Sequence, residues 1–147
     1  MRDPMDQWLE SQGLYRKLIA KDGSCLFRAV SEQVFHTQVL HTKVRMACVN
    51  FMKKHVDLFR ECGEESLNER ILSMQNPWEW GGKLEMKVMS FMYRRDFLVY
   101  QELSMPPVKA TCNGFKEKIV LCQLGNNQYD SVYPKEYVDS AGFCQCE

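Results

Sequence analysis

The hydrophobic period of this chain changes once, near residue 96, and that change limits the folds open to it. Before it, apolar residues recur three and four apart. Examples are Met5, Trp8 and Leu9; then Leu26, Phe27, Val30 and Val34; then Val44, Ala47, Cys48, Phe51 and Val56. Val88, Met89 and Met92 continue the pattern. After the change come short β-rich runs at 97–100, 119–122 and 129–133, separated by turn residues. Helices first and strands last predict an α+β fold, not an alternating α/β one.

Local signals place the elements. Asp3 suits a cap, Pro4 a first helical position and Gly13 the residue after the end, so a short helix opens the chain. Residues 14–19 read as a connecting segment. Helices are expected from Cys25 to Val34, from Thr42 past His55, over 64–74 and over 84–93. The Asn76-Pro77 step stops the third of these. Residues 106–116, with two prolines and a glycine, read as a loop. Gly125-Asn126-Asn127 reads as the turn between the last two strands, and Pro134 as the end of the second. The methionines, mostly at helical spacing, read as core.

Composition narrows the function. Lys+Arg and Asp+Glu are both 19, so the formal net charge is zero and no basic stripe points to nucleic acid. No apolar stretch approaches a membrane span of about 20 residues. The cysteines number 7, an odd count without zinc spacing, which fits a reducing compartment and predicts a cytoplasmic protein. Cys144 and Cys146 read as part of a ragged tail. One domain over residues 1–147, with its core at about 5–140, is expected.

Cys25 is the first candidate for chemistry. A free thiol ionises near pH 8.5, and a helix N-terminus favours the thiolate. Asp22-Gly23-Ser24 forms a polar turn just before it, and Gly23 permits close approach of a substrate backbone. The same helix N–H groups could stabilise an oxyanion. The competing reading makes Cys25 a small buried residue and Asp22 a cap or turn former.

The run from Asp22 to Val30, Asp-Gly-Ser-Cys-Leu-Phe-Arg-Ala-Val, resembles the nucleophile motif of the OTU (ovarian tumour) cysteine deubiquitinases. Asn127-Gln128-Tyr129-Asp130 is similar to that family's last catalytic strand, and residues 14–18 and 92–97 extend the likeness. The resemblance implies a papain-like α+β fold with a small sheet between helices, Cys25 as nucleophile and Asp22 as an active-site position. It implies Asp130 as the triad carboxylate, with Gly23, Ser24, Asn127 and Tyr129 along the substrate. It further implies ubiquitin or polyubiquitin as partner, no cofactor or metal, no nucleic acid or membrane, and a monomeric domain within a larger polypeptide.

The family's histidine position holds Gln128. Strand alternation puts positions 128 and 130 on one face, but a glutamine amide carries no titrating proton near neutrality. No histidine follows His55, and His36, His41 and His55 read as structural or surface residues. Two classes therefore stay open: a thiol-dependent deubiquitinase that is weak or uses an unusual base, and an inactive ubiquitin-binding or scaffolding module.

Overall fold

The computed structural model describes residues 2–60 and 66–140, the side chains of 138–140 excepted. Its elements run α1 (Pro4–Ser11), β1 (Leu14–Lys17), α2 (Cys25–Phe35), α3 (His41–Lys54), α4 (Val56–Phe59), α5 (Leu67–Ser73), α6 (Lys83–Tyr93), β2 (Asp96–Tyr100), β3 (Val108–Lys109), β4 (Lys118–Gln123), β5 (Tyr129–Pro134) and α7 (Lys135–Ser140). Cys62, Cys144, Cys146 and the first residues of the helix expected over 64–74 lie outside the described residues.

The α1 signals act as read. Asp3 accepts the Met5 N–H at 2.7 Å, and Gly13 takes a left-handed φ of 76° just past the end. The five-stranded sheet has the order β1-β5-β4-β2-β3. β2 and β4 run parallel, while β4–β5, β1–β5 and β2–β3 are antiparallel. Alternation along β4 divides the core. Ile119 and Leu121 join Phe97, Val99 and the helices α2, α3 and α6 on one face. Cys122 joins Met5, Leu9 and Val132 beneath α1 on the other. The sheet thus sits between helices in an α+β fold. Each fully buried Leu or Phe here contributes about 1.5–3 kcal/mol.

Residues 14–19 are not a mere connection, because four of them form β1 against β5. Charged residues disguise this strand. Arg16 and Lys17 point to partners, not to water. Lys17 donates to Glu32 Oε2 at 2.7 Å, where Gln38 and Tyr133 also donate to the same carboxylate. α3 likewise departs from its expected face: Ala47 is exposed and Arg45 is only 2% exposed. The loop over 106–116 holds the two-residue β3, and α7 follows Pro134.

β5 changes neighbour midway. Tyr129 to Ser131 pair with β4, and Ser131 to Pro134 pair with β1. Where β4 and β5 part, the Gln33 amide of α2 inserts. It accepts the Val120 N–H at 3.0 Å and donates to Val120 O at 2.8 Å and to Ser131 Oγ at 3.2 Å. This side chain stands in for a missing strand and fixes α2 on the sheet. The α2 N-terminus is thereby set beside the start of β5.

Candidate active site

α2 begins at Cys25, and the turn before it is closed by its own backbone. Asp22 Oδ1 accepts the Ser24 N–H at 2.9 Å, and Asp22 O accepts the Cys25 N–H at 3.2 Å. Arg28, one turn into the helix, grips the other Asp22 oxygen at 2.9 Å. Asp22 is therefore a turn former whatever else it does. The space beside Gly23 is taken by the Trp78 backbone: a Cβ there would stand 2.3 Å from Trp78 O. Ser24 is buried, its hydroxyl facing Pro77 O and Arg45.

The strand side meets the thiol through backbone. Cys25 Sγ donates to Asn127 O at 3.3 Å, and the Tyr129 N–H donates to Sγ at 3.4 Å. The Tyr129 ring is buried, and burial pushes its hydroxyl up to about 12. The Asn127 residue is exposed. Beside Tyr129 opens a cleft of about 180 Å³, walled by Lys83, Met86, Val99, Gln101 and Val108. A larger cavity of about 690 Å³, between Lys17, Leu18, His36, Val39 and Tyr137, includes neither Cys25 nor Gln128.

Burial works against the thiolate that a helix start favours. Cys25 is 1% exposed, and burial raises its pKa above the ordinary thiol value. The N–H groups of Tyr129 and Leu26 oppose that shift, while the charges of Asp22 and Asp130 add to it. Desolvation wins over the N–H groups.

Gln128 and Asp130 do share a face. Gln128 Nε2 donates to Asp130 Oδ1 at 3.1 Å and to Ile19 O at 3.0 Å. Asp130 Oδ1 also accepts the Ile19 N–H at 2.8 Å, and Arg16 Nη1 reaches Asp130 Oδ2 at 3.3 Å. With its nitrogen held by three acceptors, the third being Tyr129 O at 3.4 Å, the amide leaves Oε1 buried without a partner among the described residues. The histidines lie elsewhere. His36 caps the end of α2, and His55 packs on Phe51 with ring centroids 4.2 Å apart. His41 starts α3 and senses Arg28, Arg45 and Asp22; burial lowers its pKa. None is a hydrogen-bond partner of Cys25.

Sequence reasoning missed three contributors: Arg16 behind Asp130, Arg45 behind Gly23 and Trp78 packed on Gly23. Nothing in the sequence singles out Arg16 or Arg45 as site residues, because only long-range contacts supply their partners. The Gly23-Trp78 contact joins segments far apart in the chain, which spacing cannot reveal.

The fold brings a thiol at a helix start to face a strand that carries a carboxylate, two of the parts from which thiol hydrolases are built. Comparison narrows the class. The chain belongs to the OTU-like cysteine protease family, whose model matches residues 20–140. It is 49% identical over 97% of its length to mouse OTU domain-containing protein 4 and 48% over 96% to mouse UDP-N-acetylglucosamine transferase subunit ALG13. It is 36% identical over 97% of its length to Drosophila melanogaster Deubiquitinase otu. The chain spans 13%, 12% and 17% of those three relatives. Among solved structures, the OTUD1 OTU domain superposes with a TM-score of 0.77 at 28% identity, covering 88% of this chain and 92% of that one. An OTU deubiquitinase from Wolbachia pipientis wMel bound to ubiquitin gives 0.63 at 15% identity, covering 85% and 98%. That second likeness concerns the fold alone.

Proposed function

We propose that this domain recognises ubiquitin as a module of a larger polypeptide and has lost efficient isopeptide hydrolysis. The observation that carries the reading is the Gln128 amide, held on Asp130 and Ile19 where a proton carrier is needed. In an intact thiol hydrolase the cysteine loses its proton to a base and attacks the carbonyl carbon. The amine then leaves with a proton from the same base, and water cleaves the thioester. Gln128 neither takes the first proton nor gives the second. Burial raises the Cys25 thiol pKa, which lowers the fraction of spontaneous thiolate that could compensate. Ubiquitin as ligand is supported by family membership and by the Wolbachia deubiquitinase of the same fold, which is bound to ubiquitin. The cleft beside Tyr129, whose backbone N–H contacts Cys25 Sγ, is the proposed seat of the ubiquitin tail. Soluble cytoplasmic residence belongs to the same proposal; among the described residues no helix is long and apolar enough to cross a membrane.

A second reading, a slow deubiquitinase, is favoured by the backbone contacts that aim Cys25 at the 127–129 turn. One experiment separates the two. Ubiquitin binding, labelling by a ubiquitin probe with a C-terminal electrophile, and chain cleavage are measured for the native domain, Cys25→Ala and Gln128→His. The expected result is ubiquitin binding with negligible native cleavage, and a gain of about 10²–10⁴-fold in Gln128→His. Native cleavage that vanishes in Cys25→Ala would establish the slow enzyme instead. Absence of ubiquitin binding in every variant would sink both readings.

A further inference from the structure

Arg45 sits on the apolar face of α3 beside Val44, Cys48, Val49 and Met52, and is 2% exposed. No carboxylate among the described residues pairs with it. Its guanidinium lies 4.4 Å from the Phe27 ring centre and donates to carbonyls. Nη2 reaches Gly23 O at 2.9 Å, Glu79 O at 2.9 Å and Pro77 O at 3.1 Å, and Nη1 reaches Met74 O at 3.3 Å. The charges of Glu85, Glu79 and Asp22 favour the guanidinium from a distance, but burial opposes it more strongly. A buried cation whose direct partners are carbonyls is a poor source of stability, because an apolar residue of similar volume often does as well. What the planar fork supplies is geometry.

That geometry converges on one peptide. The Gly23–Ser24 unit is planar and trans, so its carbonyl and N–H point in opposite directions. Arg45 holds the carbonyl, and Asp22 Oδ1 holds the N–H. The plane is thus pinned from both sides, one residue before Cys25. The same guanidinium holds the loop through Met74, Pro77 and Glu79, whose Trp78 backbone covers Gly23.

We infer that Arg45 is a positioning residue for Cys25: it locks the Gly23–Ser24 peptide to the 74–79 loop and keeps the thiol closed. This rests on Cys25 occupying the nucleophile position, and its test uses no ubiquitin, so its failure is distinguishable from failure of the ubiquitin reading. A buried thiol reacts through local opening. The rate of alkylation by iodoacetamide is followed at Cys25 by site-resolved mass spectrometry. Cys122, buried under α1 on the far face of the sheet, reports general loosening in the same sample.

In Arg45→Lys, which keeps the charge but not the fork, the Cys25-to-Cys122 rate ratio is expected to rise about tenfold, equivalent to about 1.4 kcal/mol. Arg45→Met should raise it further. Arg60→Lys, which perturbs the exposed ion pair with Asp57 away from the 74–79 loop, should leave the ratio unchanged. A ratio equal to or below the native one in Arg45→Lys overturns the inference and leaves Arg45 a stabilising residue only. If Arg45→Met fails to fold, the Arg45→Lys result decides.

Discussion

The two halves of the candidate site differ in how completely they are held. On the helix side, backbone and ionic partners surround the nucleophile turn: Asp22 with Ser24, Cys25 and Arg28, and Gly23 O with Arg45. On the strand side, Asp130 is equally well held by Ile19, Arg16 and Gln128. Yet Gln128 beside it carries a buried Oε1, unpartnered among the described residues, and no mobile proton. Under the proposed function, the scaffold of a triad persists here without a proton carrier. Amide and imidazole both donate to the carboxylate, but only imidazole can also titrate.

The largest expected effect tests whether the strand side lacks only that carrier. In a Gln128→His background, Asp130→Asn should cancel most of the regained cleavage, by about 10²-fold or more, because the imidazole loses its orienting carboxylate. Chain-cleavage kinetics check this; undiminished cleavage would mean that Asp130 is not part of the restored machinery.

The helix side can be broken sterically. Gly23→Ala drives a methyl into Trp78 O and should destabilise the fold by about 1–3 kcal/mol, read from urea unfolding. A control Gly125→Ala has no neighbour within 4 Å but sits at φ 83°, so it reports backbone strain without the clash.

Acid provides a reference away from the site. Asp96 is buried, which opposes ionisation. The N–H groups of Asn113 and Phe115 and the hydroxyls of Thr111 and Ser90 nevertheless hold its carboxyl down to about 2, from 3.8. A depressed carboxyl contributes stability that is present above the unfolded pKa and lost as pH falls through the folded one. Stability should thus decline between about pH 4 and about pH 2, and Asp96→Asn should flatten that part of the curve in chemical denaturation at stepped pH. The smallest effect is local. The Cys25 alkylation rate should rise with pH through a midpoint above that of an ordinary thiol, since burial raises its pKa. A midpoint below the ordinary value would show that the helix start outweighs desolvation.

Much of this was legible in the chain itself. The cap at Asp3, the left-handed Gly13, the β-rich runs and the α+β order follow from local sterics and periodicity, which act over a few residues. So does the pairing of positions 128 and 130, and with it the absence of a titrating group at 128, because strand alternation and amide chemistry need no tertiary information. Tertiary structure decided the rest. β1 escaped notice because Arg16 and Lys17 find Asp130 and Glu32 only after folding. Arg45 turns inward because distant carbonyls replace its water. The sign of the Cys25 shift depends on how much solvent the folded neighbours exclude, and burial is a property of the whole assembly of elements, not of any segment.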